Sequence, residues 1–181
     1  MTDLTISDAT APDPTVRLAA DGDQAAFARL VSEHHPSMAR VAYAITGDAE
    51  TAADAVQIAW SIAWRRLGSL RDHTMVRAWL VAIAANEARK GIRRQRGRPV
   101  VDISTSLEVR GGGDPADRIA TMDLARALRS LSPDDRTLLA LRFVAGLDSS
   151  EISTQLGISA SGVRSRLARL IERLRMELGH V

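Results

Sequence analysis

The chain has 181 residues, of which 45% are hydrophobic and 3% aromatic, it contains no cysteine, and its formal net charge is only +2. The lack of cysteine excludes disulfides, thiolate catalysis and cysteine-based zinc sites, and no apolar run approaches the length of a membrane-spanning helix. Residues 1–14 are acidic and threonine-rich, unlike a signal peptide, so we expect a soluble cytoplasmic protein. Abundant Ala, Leu and Arg predict a helical fold.

Charge is distributed unevenly along the chain. Residues 1–60 contain nine acidic side chains and three arginines, whereas residues 61–98 contain ten Lys or Arg and two acids. This change from −6 to +8 indicates an acidic half followed by a segment that meets a polyanion. A solvated basic helix would show the same pattern, so charge alone leaves both interpretations open.

The N-terminal half begins with a predicted disordered stretch, residues 1–20, followed by a helix. From about Gln24, apolar side chains recur at helical spacing. We expect Pro36 to kink or break this helix near its middle, because proline lacks a backbone N–H and its ring clashes with the preceding turn. Gly47 is expected to end the helix.

Two further helices are predicted before residue 98. Asp48 can cap the first of them, whose apolar seam runs to Leu67. After a polar loop, residues 68–74, the second helix spans about residues 75–96, and its later half is basic. Cations near a helix C-terminus also favour the helix dipole, so both a solvated helix end and phosphate binding explain the basic run.

Residues 99–115 have no sustained period and contain three consecutive glycines, which predicts a flexible linker. The linker separates a first helical domain, residues 21–98, from a second helical domain, residues 116–181. In the second domain a helix is predicted over residues 116–130, and Ser132-Pro133 is a strong start for the next helix. That next helix is expected to end at Gly146 and contains four large apolar side chains: Leu138, Leu139, Leu141 and Phe143.

The last 35 residues predict a helix-turn-helix. A short helix over residues 149–156 is followed by Gly157, which can adopt the left-handed conformation of a tight turn. Ser159 can then cap a longer helix, which extends to about Leu178. The N-terminal residues of such a helix can read base edges in a major groove. Three arginines lie within residues 164–169, and a guanidinium can bond a guanine edge or a phosphate in bidentate fashion.

Motifs in both halves resemble the extracytoplasmic-function sigma factors, the bacterial subunits that direct RNA polymerase to promoters. The segments similar to region 2 of that family are Asp54-Ala55-Val56-Gln57 with Trp60, and Arg77-Ala78-Trp79-Leu80 with Ile83, Ala84 and Asn86. The segments similar to region 4 are Gly146-Leu147, Glu151-Ile152, Leu156-Gly157-Ile158-Ser159 and Val163-Arg164-Ser165-Arg166-Leu167. The chain departs from the family at Ser161-Gly162, where Gly-Thr is usual, and this departure leaves the base contacts open.

The resemblance implies three binding surfaces. Core RNA polymerase would bind residues of the second predicted helix: Asp54, Gln57, Ile58 and Trp60. The minus-ten promoter element would contact the loop and helix that follow: Arg71, His73, Arg77, Asn86, Arg89, Lys90, Arg93 and Arg94. The minus-thirty-five element would contact the helix-turn-helix: Ser159, Ser161, Arg164, Ser165, Arg166 and Arg169.

The resemblance also implies a protein of the cytoplasm and nucleoid that opens promoters without being an enzyme. It needs no cofactor or metal, and an anti-sigma protein is among its expected partners. Two other functions stay open. A free-standing helix-turn-helix regulator would explain the C-terminal motif only, and binding to core polymerase distinguishes it. Catalysis would have to use His34 and His35 beside Glu33, but adjacent side chains on a helix point about 100° apart and no second ligand cluster is present.

Overall fold

The computed structural model describes residues 14–95, 124 and 126–179 of the chain. These residues form helices joined by short turns, and no strand occurs among them, which confirms the predicted all-α fold. Residues 1–13 and the predicted linker, residues 99–115, lie outside the described part. The domain boundaries drawn from the sequence therefore stay predictions.

A short helix precedes the region where we expected structure to begin. Helix α1 spans Pro14–Ala20 and packs on the next helix, α2, through the buried side chains of Val16 and Ala19. Proline is favourable in the first turn of a helix, where its missing N–H would have no partner. The prediction of disorder up to residue 20 is therefore wrong for residues 14–20. Two small apolar contacts with a neighbouring helix, which are invisible in the local sequence, are what order them.

Helix α2 spans Gln24–Thr46 and continues through Pro36. Asp23 caps its start by accepting a hydrogen bond from the N–H of Ala26 at 2.8 Å, and Gly47 ends it as predicted. The expectation that Pro36 breaks the helix is wrong. Pro36 is exposed, so the carbonyl that loses its helical partner can bond to water. The helix on the far side of the proline is held by buried side chains: Met38, Val41, Ala42 and Ile45.

Helices α3 and α4 complete the first helical unit. Helix α3 spans Ala49–Arg66 and begins at the predicted cap, because the Asp48 carboxylate accepts a hydrogen bond from the N–H of Thr51 at 2.7 Å. Helix α4 spans Val76–Gln95 and packs on both α2 and α3. Small side chains let the three helices approach closely, and those that are fully enclosed include Ala42, Ala59, Ala63, Ala84 and Ala88.

The second helical unit begins with helix α5, of which residues 126–130 are described. Helix α6 spans Pro133–Leu139, starts at the predicted Ser132 cap and continues as a wider π-helical turn over Ala140–Val144. Helix α7 spans Ser149–Leu156, and helix α8 spans Ala160–Leu178. The three helix starts and the turn between α7 and α8 therefore match the sequence prediction.

The two helical units pack against each other. Helix α6 contacts α2 and α4, and the π-helical turn contacts α2, so that one apolar cluster extends from Val16 to Leu170. Leu138 and Leu141 lie at the centre of this cluster and are fully buried. Phe143, a further large apolar residue of this segment, is 62% exposed. The wider π-helical turn changes the rotation per residue at this point, so the simple helical period fails there.

Candidate nucleic-acid interface

Helices α7 and α8 form the helix-turn-helix predicted from the sequence. Gly157 adopts the left-handed conformation with φ at 67°, and its N–H donates to the carbonyl four residues earlier at 2.9 Å. The Ser159 hydroxyl caps α8 by accepting a hydrogen bond from the N–H of Gly162 at 3.0 Å. Asp148 and Glu151 form a reciprocal capping box at the start of α7. Both helix starts are therefore fixed by hydrogen bonds.

One face of α8 is packed and the other is open. Val163, Leu167 and Leu170 are buried against the rest of the second unit. The residues expected to meet DNA that are exposed on this helix and its cap are Ser159, Ser161, Arg164, Ser165 and Arg169. The Arg164 guanidinium makes no ion pair with another described residue, so its donors can reach a base edge or a phosphate.

Arg166 differs from its predicted neighbours. Its Nη2 and Nε atoms donate to Oδ1 of Asp135, at the start of α6, over 2.7 Å and 3.0 Å. Partial burial raises the pKa of Asp135, but hydrogen bonds from Ser132 and Arg166 and the charges of Arg166 and Arg173 outweigh it, so this pKa lies below its usual value. Arg166 thus joins two helices of the second unit.

The arginines of α4 that were expected to hold phosphates contact the second unit. Asp134 Oδ1 accepts hydrogen bonds from Nη1 of Arg89 at 3.1 Å and from Nη2 of Arg93 at 3.4 Å. The Nη2 atom of Arg77 donates to the carbonyl of Ala145. These three cations therefore contact the start and the end of the α6 segment.

The remaining polar residues expected on α4 have different surroundings. Asn86 accepts a hydrogen bond from Arg89 at 3.2 Å. Lys90 forms an ion pair of 2.7 Å with Glu87, which is a buried residue. Arg94 is exposed and lies beside acidic side chains between α3 and α4. The cations expected to hold phosphates therefore have different partners: some contact the second unit and others contact acidic side chains of the first.

The loop before α4 contains Arg71 and His73, which were expected to contact an unpaired base. Asp72 lies between them and caps a short turn by accepting hydrogen bonds from the hydroxyl and the N–H of Thr74, at 2.6 Å and 3.0 Å. These hydrogen bonds, the side-chain one first, hold the pKa of Asp72 below its usual value. Arg71 is exposed and His73 is half-buried on this turn.

The residues expected to bind polymerase lie on both sides of α3. Asp54 and Ile58 line a groove between α3 and α4, together with Glu50 and Arg94. Trp60 lies in an apolar groove between α2 and α3, where its indole N–H donates to Nδ1 of His35 at 3.3 Å. Gln57 lines both grooves, since it stands on the exposed crest between them.

A basic groove that sequence reasoning did not identify lies between the end of α3 and the middle of α4. Arg65 and Arg66 line it together with Asn86, Arg89 and Lys90. Its apolar lining residues are Ile62 and Ile83, and Glu87, which pairs with Lys90, also lines it. Neither Arg65 nor Arg66 makes an ion pair with another described residue. In the sequence they stand in the last turn of a helix, where the helix dipole alone favours cations.

The histidines considered for catalysis point apart. Both belong to α2: His34 is buried, whereas His35 is exposed and accepts the hydrogen bond from Trp60. Among the described residues, no cluster of three or more His, Cys, Asp or Glu side chains is positioned to hold a metal ion.

Comparisons with known proteins identify the family. The sigma-70 region 2 model matches residues 30–98, and the sigma-70 region 4 model matches residues 121–174. The extracytoplasmic-function (ECF) RNA polymerase sigma factor SigL of Mycobacterium tuberculosis is 32% identical over 164 residues, which cover 88% of this chain and 93% of that protein. The chain belongs to the ECF sigma factors.

Two further similarities extend this result. A probable RNA polymerase sigma factor of Xanthomonas campestris, RfaY, is 32% identical over 168 residues, although this ECF sigma factor spans only 42% of its length. The solved structure of CnrH in complex with the cytosolic domain of CnrY has a TM-score of 0.71 and 26% identity, covering 94% of this chain and 99% of that chain. The fold is therefore shared across both regions.

The candidate site residues of this sigma factor fall into the two matched regions. Region 2 contains helix α3, helix α4 and the basic groove between them, and region 4 contains α6, α7 and α8. None of the described helices is long and apolar enough to cross a bilayer.

Proposed function

We propose that this ECF sigma factor binds core RNA polymerase and directs it to promoters through two DNA-binding surfaces, one in region 4 and one in region 2. The observation that carries the proposal is the open face of α8. The exposed side chains of that face include Ser161, Arg164, Ser165 and Arg169, whereas Val163, Leu167 and Leu170 on the opposite side are buried. A capped helix with such a face is suited to reading a major groove with its first turns.

On region 4, Arg164 is our choice for the base-reading residue of the minus-thirty-five element. It is exposed in the second turn of α8, and a guanidinium can bond O6 and N7 of guanine together. Ser161 and Ser165 flank it with hydroxyl groups, and Arg169 is suited to a phosphate one turn later. We assign Arg166 a positioning role, because its donors are used by Asp135.

On region 2, the basic groove is suited to one strand of an opened minus-ten element. Arg65, Arg66 and Lys90 would hold the sugar-phosphate backbone, and the amide of Asn86 would bond a base edge. Ile62 and Ile83 would give unstacked bases an apolar surface to pack on, and Arg71 and His73 would contact a flipped base at the adjacent loop. These contacts would stabilise opened DNA without any covalent chemistry on it.

Core polymerase would dock on α3. Asp54 and Gln57 are exposed on its crest and supply polar contacts, while Ile58 and the partly exposed Trp60 add apolar area on either side. This combination of apolar anchors and polar groups is typical of protein interfaces. Such docking would bring the sigma factor to its place of action, the nucleoid in the cytoplasm.

An anti-sigma protein is the further partner that we propose. CnrH, which resembles this chain across both regions, was solved together with a domain of another protein, CnrY. Two apolar grooves are open on this chain, one beside Trp60 and one beside Phe143. Each has room for apolar side chains of a partner, which favours control by a protein and not by a small molecule.

Run-off transcription with core RNA polymerase tests the proposal. The template is a promoter mapped from the transcripts that appear when the protein is overproduced. Wild type is expected to direct initiation, Asp54→Ala to lose binding to core polymerase, and Arg164→Ala to keep that binding but lose promoter selectivity. Loss of one hydrogen-bonded base contact typically weakens discrimination by about 1–3 kcal/mol.

Matched controls separate these roles from general effects of charge. Asp21→Ala removes an exposed acid away from α3, and Arg175→Ala removes an exposed arginine from the last turn of α8. Both are expected to transcribe like wild type. A protein that binds promoter DNA but never associates with core polymerase would be a free-standing regulator and would contradict the proposal.

A further inference from the structure

Of the 24 Lys and Arg side chains of this sigma factor, Lys90 is the only lysine. Its side chain is 60% exposed, and Nζ lies 2.7 Å from Oε1 of Glu87, whose side chain is only 7% exposed. A guanidinium keeps its proton at physiological pH, whereas a lysine that gives up its proton is a nucleophilic amine. Lys90 is therefore the one basic side chain of this protein that can accept an acyl group.

Lys90 lies in the basic groove between α3 and α4, which also contains two exposed arginines. The guanidiniums of Arg65 and Arg66 form no ion pair with another described residue. Glu87 is buried, and Lys90 is the only described residue that donates to its carboxylate. The groove has a volume of about 670 Å³, which is enough for a small anion beside the amine. It thus combines a nucleophile, a base and two cations that are open to a ligand.

These groups meet the requirements for acyl transfer from an acyl phosphate. The phosphate of such a donor would lie against Arg65 and Arg66, since guanidinium groups bind phosphate oxygens in bidentate fashion. Lys90 lines the same groove and can then reach the acyl carbon. The distance of 2.7 Å between Nζ and Glu87 lies within the reach that a general base needs.

We propose that Lys90 is a modification site: an acyl phosphate acylates its side chain, and the acyl group weakens the hold of region 2 on opened promoter DNA. Glu87 accepts one proton from the Nζ ammonium, and the freed lone pair attacks the acyl carbon. The bond between that carbon and the phosphate oxygen then breaks. The leaving oxygen takes the bonding electrons and the second proton from nitrogen, which yields an amide and hydrogen phosphate, and Glu87 passes its proton to water.

The consequence for DNA rests on the proposed function, because it assumes that Lys90 holds a phosphate of the minus-ten strand. Acylation removes the positive charge of Lys90 and the donor that pairs with Glu87. The buried carboxylate then remains in the groove without its counterion and repels a phosphate. The groove would therefore lose one phosphate contact and gain one uncompensated negative charge.

Two acetyl donors distinguish a built site from ordinary amine reactivity. Acetyl phosphate carries an anionic leaving group, whereas acetyl N-hydroxysuccinimide carries the same acetyl group without a phosphate. Mass spectra of the full chain and of its peptides follow acetylation and separate Lys90 from the amino terminus. Arg65→Ala with Arg66→Ala is expected to slow acetylation of Lys90 by acetyl phosphate about tenfold, but to leave the rate with the other donor unchanged. Inorganic phosphate is expected to compete with acetyl phosphate only.

Glu87→Gln and Glu33→Gln form a matched pair of variants for testing the base. Both replace a carboxylate by an amide, but Glu33 is exposed on α2, outside the groove. Glu87→Gln is expected to slow acetylation of Lys90 by acetyl phosphate about tenfold, since water competes with a base in an open groove. Glu33→Gln is expected to react like wild type, and circular dichroism verifies that each variant is folded. A rate that neither Glu87→Gln nor the double arginine variant changes would overturn the proposed site.

Binding to a fluorescent single-stranded minus-ten oligonucleotide is then compared for acetylated and untreated protein. Acetylation is expected to raise Kd of wild type about three- to tenfold and to reduce the slope of log K against log salt by about 0.7, the value for one phosphate contact. Lys90→Arg takes up no acetyl group at this position, so treatment is expected to leave its own Kd unchanged. An unchanged Kd after acetylation of Lys90 would overturn the proposed control of DNA binding. Untreated wild type that does not bind the oligonucleotide would contradict the proposed function instead, while the mass spectra would still decide the modification site.

Discussion

Asp135 and Arg166 join the start of α6 to the middle of α8, because Nε and Nη2 of Arg166 both donate to Oδ1 of Asp135. Asp135 also accepts a hydrogen bond from the Ser132 hydroxyl at 2.8 Å through its other oxygen. The same carboxylate therefore fixes the cap of one helix and the orientation of the other. The angle at which α8 presents Arg164 depends on a contact that lies on its opposite side.

Removing the contact between Asp135 and Arg166 is expected to lower the stability of the folded chain. Arg166→Met retains most of the apolar stem of the side chain but loses both hydrogen bonds. We expect the free energy of unfolding to fall by about 1.5–3 kcal/mol, the range for hydrogen bonds to charged groups. Urea unfolding of Arg166→Met, Asp135→Asn and the double variant measures the coupling. Additive losses from the two single changes would show that the pair contributes nothing of its own.

The same carboxylate predicts a dependence of stability on pH. The pKa of Asp135 is lower in the folded chain than in the unfolded one. Its contribution to stability is therefore fully present above its unfolded value of about 3.9 and is lost as the pH falls through the lower folded value. The difference in unfolding free energy between wild type and Asp135→Asn should be largest near about pH 6 and shrink toward about pH 3. A difference that stays constant over this range would contradict the assignment.

Gly91 provides a test of close packing between α3 and α4. A β-carbon at this position would lie 3.0 Å from Cγ2 of Thr51, and the hydroxyl of Thr51 is hydrogen-bonded to Asp48, which fixes its rotamer. Gly91→Ala gains about 1 kcal/mol of helix propensity, but overpacking typically costs about 1–3 kcal/mol. We expect a net loss of about 1 kcal/mol, measured by thermal or urea unfolding.

Thr51→Ser supplies the control for this prediction. Serine retains the hydroxyl that bonds Asp48 but lacks the methyl group that blocks the new β-carbon. In the Thr51→Ser background, Gly91→Ala is expected to become stabilising, because only the gain in helix propensity remains. A loss of the same size in both backgrounds would mean that the methyl group of Thr51 is not the obstacle.

The sequence predicted the local structure well where a few neighbouring residues determine it. The caps at Asp48, Ser132 and Ser159 and the left-handed turn at Gly157 are all confirmed. Each cap depends on a side chain and a backbone N–H three residues later, and the turn depends on a glycine whose N–H bonds the carbonyl four residues earlier. The break that was one of the two outcomes expected at Pro36 does not occur, because burial of the side chains that follow it outweighs a local penalty.

The site was harder to predict, since its partners are distant in the chain. The pairing of Arg89 with Asp134 crosses 45 residues, and nothing in the composition of α4 indicates it. Arg166 lies among residues with the spacing of a DNA-reading face, but only the fold reveals that Asp135 uses its donors. Arg65 becomes a candidate only once the end of α3 is seen beside α4.

Arg65 and Arg66 carry the most direct test of the region 2 groove. If both contact phosphates, Arg65→Ala with Arg66→Ala should weaken binding to a single-stranded minus-ten oligonucleotide. Each phosphate contact that is lost should reduce the slope of log K against log salt by about 0.7. The double variant should therefore show a slope shallower by about 1.4, with the affinity for a duplex minus-thirty-five element unchanged.

Arg29→Ala serves as the matched control, because Arg29 is an exposed arginine on α2, outside the groove. It changes the net charge by the same amount per residue, so long-range electrostatics alone would give it a comparable effect. We expect its salt slope to match that of wild type. Lysine at positions 65 and 66 should restore most of the slope, since a phosphate contact needs positive charge more than the planar guanidinium. If Arg29→Ala and the groove variants shift the slope equally per charge, the groove is not where the strand lies.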